Sequence, residues 1–172
     1  MKESIAMYTL WTFLEVLATA GASSGIAGVE KVLNGKLVFE KEPKSHTHYL
    51  IGQAPYIEVE GSIENIRVVK HSTGHLFHLK IDLVGSCITK KEVKQHFPDL
   101  YFAYMPTSPA VSAPFSYVTR VLDVPVLFRY LNNSATPDCL HSIIIDYQSR
   151  IDEYGMPPPP REEASVQESS EQ

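Results

Sequence analysis

The sequence predicts an α+β domain, an antiparallel β-sheet of about six to seven strands in two meanders with a short central helix. Three observations carry this expectation. Residues 75–98 run from an alternating strand straight into a capped helix. Period-2 apolar alternation recurs on both sides of that join, in runs separated by short turns. The order of elements, meander, helix, meander, is that of a sheet with helices on one face.

At the join, Phe77, Leu79, Ile81 and Leu83 alternate with His78, Lys80 and Asp82. Successive side chains of a strand point to opposite faces, so this strand has one dry and one wet side. Gly85 and Ser86 break the pattern, and Cys87 and Ile88 lead into Thr89. Thr89 and Glu92 have the spacing of a capping box, and Ile88 and Val93 that of a hydrophobic staple. Pro98 stops the helix at about Phe97.

The chain begins with Lys2 and Glu3, an apolar run over 5–14, Glu15, and then small residues through Ala18, Ala20 and Ala22. A basic start, a short apolar core and small residues at a cleavage point are the order of a signal peptide. Residues 1–22 therefore read either as that or as an apolar first helix packing on the sheet. The two acids count against a signal peptide, and the run is too short and interrupted for a stable membrane span. Residues 21–28 read as a small, flexible linker. Asn34 and Gly35 read as a hairpin-type turn before a first strand over 36–40. Residues 49–52, 56–60 and 63–70 continue the first meander.

After the helix, residues 99–114 read as a long loop rich in proline, carrying Tyr101, Phe102, Tyr104 and Met105. Clustered aromatics want a surface to bury against, which argues against disorder; the segment reads either as a binding surface or as a loop folded onto the core. Residues 115–122 and 125–131 follow as strands, with Pro125 at a strand start or edge. Ile143, Ile144 and Ile145 place the last strand, within 140–147, centrally. The domain is expected over 23–150. Residues 151–172, with their proline run and Glu/Ser/Gln-rich end, read as a disordered acidic tail.

The formal net charge of −5 lies in that tail, where six carboxylates face Arg161, and residues 1–150 are balanced. A balanced body lacks the electrostatic footprint of a nucleic-acid binder. No phosphate loop, nucleophile elbow, zinc-protease motif or paired C-x-x-C occurs, so no cofactor or metal is expected. His46 and His48 share a face if extended, but no complete ligand set accompanies them. Glu58, Glu60 and Glu64, with Asp82 and Asp146, read as acids on polar strand faces.

The two cysteines, Cys87 and Cys139, offer two readings. One is a disulfide tying the start of the helix to the last strand, expected if the chain is exported. The other is Cys87 as a nucleophile near a helix N-terminus, with His75, His78 or His141 as base. The layout of an export-like start, a small sheet-rich domain and one cysteine pair resembles small bacterial exported inhibitors and immunity-type proteins. The missing catalytic patterns and the aromatic loop point to a periplasmic or secreted, non-enzymatic protein that binds and occludes a protein partner. The contact would run through an exposed sheet face or through Tyr101, Phe102, Tyr104 and Met105. A cysteine-dependent hydrolase and a small-ligand carrier are the alternatives.

Overall fold

The structure, a computed structural model, describes residues 8–41, 49–53, 59–60, 63–85, 87–104, 114–131 and 138–156. The α+β expectation holds. The chain runs β1 (Tyr8–Thr9), α1 (Leu10–Leu33), β2 (Phe39–Lys41), β3 (Tyr49–Gln53), β4 (Val59–Glu60), β5 (Ile63–His71) and β6 (Leu76–Leu83). It continues with α2 (Lys90–His96), β7 (Tyr101–Tyr104), β8 (Pro114–Val121), β9 (Val124–Leu131), β10 (Ser142–Asp146) and a 3-10 turn, Ile151–Tyr154. Eight strands form one sheet in the order β2-β3-β5-β6-β10-β9-β8-β7, and every pairing in it is antiparallel. The sheet thus has more strands than the expected six to seven, because β7 lies where the sequence read a loop. β1 and β4 pair separately, in parallel.

α1 is a core element. Thr9 caps it by accepting from the Thr12 amide at 3.2 Å, filling one of the unsatisfied donors at a helix start. Leu10, Phe13, Leu14, Leu17, Ala18 and Gly21 recur at helical spacing and are all buried, which is the stripe of a helix lying on a sheet. By length and composition α1 also passes as a helix that could cross a membrane. The stretch read as a linker is a kink instead. Gly25 takes a left-handed φ of 58° inside the helix, which glycine tolerates without steric cost. Beyond it the helix closes back, and a Cβ on Gly28 would lie 2.2 Å from the Ala20 carbonyl oxygen. Asn34 and Gly35 end this helix rather than turn a hairpin. Asn34 is left-handed, and Gly35 donates to the Glu30 carbonyl at 3.1 Å. The same residue chemistry serves both purposes.

Residues directly opposite in antiparallel strands share a face. One face carries Ile66 and Val68 of β5, Leu79 and Ile81 of β6, Ile143 and Ile145 of β10, and Val126 and Phe128 of β9. These pack with Leu10, Phe13, Leu14, Leu17, Val29 and Leu33 of α1 and Val93 of α2 into a single core. The two helices meet where the Trp11 indole stacks on His96 at 4.3 Å, with Phe97 at its edge. Tyr147 closes the other end. Its hydroxyl donates to the Leu17 carbonyl at 2.7 Å, and its ring occupies the space left by Gly21.

The strand–helix join is built as its sequence indicates. Thr89 Oγ1 accepts from the Glu92 amide at 3.3 Å, and the Glu92 carboxylate accepts from the Thr89 amide at 2.8 Å. Val93 is buried and Ile88 packs on the core. Cys87 and Cys139 are disulfide-bonded. Beside the bridge the Leu140 amide donates to the Ile88 carbonyl at 2.8 Å, so the start of α2 and the approach to β10 are fastened together. The folded part also passes the expected boundary at 150, since the 3-10 turn follows and Met156 is buried. The tail from 157 onward lies outside the described residues.

Two outcomes test this account. In Gly21→Ala the new Cβ would meet Tyr147 Cε1 at 2.3 Å, and overpacking of this kind costs about 1–3 kcal/mol. Urea unfolding should show that loss, with less of it in a Tyr147→Ala background. Replacing both cysteines with serine frees a loop of 52 residues' separation, and the denatured-chain entropy so released lowers stability by about 4 kcal/mol, read as the change in denaturation midpoint.

Candidate partner-binding surface

Of the four aromatic and Met positions expected to bind, Tyr101, Phe102 and Tyr104 lie on β7, and Met105 falls outside the described residues. Pro98 and the 3-10-like turn after α2 deliver the chain to this strand, with the Leu100 amide donating to the Phe97 carbonyl at 3.1 Å. Asp99 fixes the approach. It accepts from Thr119 Oγ1 at 2.5 Å and faces Arg120 Nε at 3.6 Å, so the α2–β7 connection is held to β8. The sequence hid this strand because four residues between prolines are too few for a period to show.

β7 is an edge strand, paired among the described residues with β8 alone. Tyr101 pairs with Val118 and Phe102 with Tyr117, so the two rings stand on opposite faces of the sheet. Each is 41% exposed. On the helix side Phe102 meets Tyr117 edge-on at 5.4 Å. Behind it Tyr117, Phe115 and Tyr130 form a contiguous aromatic wall, with centroids 5.7 to 6.1 Å apart. Lys90 of α2 sits 4.4 Å over the Tyr117 ring, a cation–π contact that anchors the helix to the wall. Burial holds the Tyr130 phenol protonated, far above its ordinary range.

The other edge differs. β2 carries Glu40 and Lys41 within three residues, and Lys70 of β5 lies 4.1 Å over the Phe39 ring. Charges of that kind keep a sheet edge from pairing with other chains. β7, with the sequence Tyr-Phe-Ala-Tyr, has none.

The opposite sheet face bears neither helix. Along one row Asn65, Asp82, Ser142, Arg129 and Ser116 lie side by side on β5, β6, β10, β9 and β8. The next row runs Arg67, Lys80, Ile144, Leu127, Val118 and Tyr101. A third pairs Val69, His78 and Asp146. Desolvation lowers the pKa of His78, and Lys80, Arg129 and Arg67 add to it against the opposing pull of Asp146. For Asp146, burial alone would raise the carboxyl. The Tyr154 hydroxyl and the Ser149 and Gln148 amides donate to it and hold it below its ordinary value.

The remaining candidates resolve locally. Cys87 is bonded to Cys139 and in that state has no thiolate to offer. Among the described residues no group of three His, Cys, Asp or Glu side chains could hold a metal ion, and His46 and His48 fall outside them. The sheet face that a small-ligand carrier would leave open is filled by α1 and α2. A shallow depression of about 380 Å3 at the end of α1, by Glu30, Lys31 and Asn34, has its carboxylate already engaged by the Leu37 amide and Lys36.

The chain matches no family model, no curated protein sequence and no solved structure.

The Asp146 cluster yields a pH prediction. Its folded pKa lies below the ordinary 3.8, so the unfolded chain binds that proton first. The stabilisation is complete above the unfolded value and is lost as pH falls through the folded one. Tyr154→Phe removes one of the donors, so acid unfolding should begin at higher pH. The Asp146 side-chain carbon, followed by NMR titration, should show a raised pKa in that variant.

Proposed function

We propose that this is a non-enzymatic protein that binds a protein partner by strand addition at β7 and occludes it. The observation that carries this reading is the asymmetry of the sheet's two edges, one charged and one uncharged with two exposed aromatic rings. An unpaired edge offers a row of backbone donors and acceptors to an extended segment. Main-chain hydrogen bonds then supply affinity, and pockets beside alternate side chains supply selectivity. Tyr101 and Phe102 would grip such a segment from both faces, and Tyr is enriched at interface cores for its large, rigid contact area.

The export expectation belongs to the same proposal. A disulfide persists in an oxidising compartment and is rare in a reducing cytosol, and a chain held by the Cys87–Cys139 bridge suits the periplasm or the exterior. Inhibitor or immunity-type action is the form of occlusion that the layout suggests.

A photo-crosslinking residue at position 103 should trap a protein partner from an extract of the source cells, whereas one at position 40 on β2 should not. Tyr101→Lys places a charge on the free edge and should weaken capture by at least about tenfold, with circular dichroism and melting unchanged. Equal crosslinking from both edges, or full capture by Tyr101→Lys, would count decisively against the proposal.

A further inference from the structure

We infer that the helix-free face of the sheet is a second contact for the same partner and that it receives an acidic segment, with Arg67, Lys80 and Arg129 as anchors. The inference rests on the strand-addition reading for the identity of the occupant and on the charge pattern of this face for its chemistry.

Three cations stand within two adjacent rows of four neighbouring strands. Arg67 and Lys80 are directly opposite each other on β5 and β6, a like-charge pair that costs free energy in the unbound sheet. Arg129 lies two strands from Asp82, with Ser142 between them. One carboxylate serves all three. Asp82 closes on Lys80 at 3.3 Å, and among the described residues no carboxylate closes an ion pair with Arg67 or Arg129. The other acid on this face, Asp146, is already occupied by Tyr154 and two turn amides.

A second observation points independently to a missing partner group. Ser142 is fully buried between Asp82 and Arg129, and its hydroxyl has no hydrogen-bond partner. A buried polar group left unpaired is costly. A carboxylate held bidentately by the Arg129 guanidinium would lie beside Ser142 in the same row.

The surroundings decide between an acidic protein segment and a nucleic acid. The cationic row continues through Ile144, Leu127 and Val118 to Tyr101 on β7. That is a strip from positive to apolar to aromatic, suited to a peptide of mixed acidic and apolar residues. Phosphate backbones are held by long runs of cations, and the whole chain carries −5. The strip ends at the edge that we assign to strand addition, so one partner can engage both.

The test uses the full chain and three labelled probes: a short alternating Glu–Leu peptide, its Lys–Leu counterpart and a single-stranded oligonucleotide. The Glu–Leu peptide should bind alone, with salt-sensitive affinity, and should shift the amide resonances of Arg67, Lys80, Arg129 and Ser142. Arg67→Glu should weaken it by about tenfold or more, since reversal places a repulsive charge at the contact. Lys80→Gln, milder for folding, should weaken it less. No binding of the Glu–Leu peptide overturns the inference, as does binding of the oligonucleotide in its place. If Arg67→Glu retains both peptide binding and partner capture while Tyr101→Lys loses capture, the acidic-segment inference falls and the β7 reading stands.

Discussion

The last strand of the sheet is also its middle. β10 enters between β6 and β9 and pairs with both along its length, Ile143 against Ile81 and Phe128, and Ile145 against Leu79 and Val126. Without it the protein is two separate meanders, β2-β3-β5-β6 and β9-β8-β7, with no ladder between them. Ile143 and Ile145 face the core, while Ile144 between them lies half-buried on the helix-free side. Its placement is enforced from outside the ladder. The Cys87–Cys139 bridge and the bond from Leu140 to the Ile88 carbonyl fix where the chain arrives, and the Leu83 amide donating to the His141 carbonyl begins the pairing. Because β6 and β10 are far apart in sequence, the pairing carries a large loop-closure cost before any contact offsets it. The disulfide moves part of that cost into the denatured chain.

The helices convert this sheet into a two-sided object. α1 and α2 pack on one face, and their fit depends on close approaches rather than on apolar character alone. Gly21 admits the Tyr147 ring, and Gly28 admits the Ala20 carbonyl across the kink. A residue with a side chain at either position has nowhere to go, so the turn of α1 and the end of β10 are fitted to each other. Among the described residues the other face carries no helix, although Val69, Val118 and Ser142 on it are buried. Its residues are therefore free of packing demands from a helix. That freedom is what permits a like-charge pair such as Arg67 and Lys80 to stand at the sheet's centre, where a covered face would require apolar side chains.

How much of this was legible depends on range. The capping box at Thr89 and Glu92, the strand before it and the stop at Pro98 are local, and each was readable because its determinants lie within a few residues. Two cysteines admit one pairing, but whether it forms depended on the compartment, which the sequence left open. β7 was not, since four residues show no period and neighbouring prolines signal a loop. Asn34 and Gly35 misled because a left-handed Asn both caps helices and turns hairpins. The small residues 21–28 read as a linker because composition cannot distinguish freedom from close packing. For the binding surface, the aromatic residues stood out by type, whereas the rows of the open face did not. Alternation assigns Arg67, Lys80 and Arg129 to polar sides of their own strands, but only the strand order β5-β6-β10-β9 brings them together.

The two edges of the sheet and its open face now admit one physical argument. An edge strand left uncharged is a liability in a chain that stays alone, because it invites pairing with any extended segment. β2 carries charge against that hazard, while β7 presents Tyr101 and Phe102. The same fold charges one edge and leaves the other uncharged among the described residues, and on the reading we propose the uncharged edge is the one a partner occupies. Arg67, Lys80, Arg129 and the unpaired Ser142 hydroxyl lie along the rows that run to that edge, and on the proposed reading an occupant relieves them. Among the described residues β7 has one neighbouring strand, and neither Arg67 nor Arg129 has an ion-paired carboxylate. We propose that a partner with an extended, acidic and apolar segment engages both, its own functional segment being occluded in the contact.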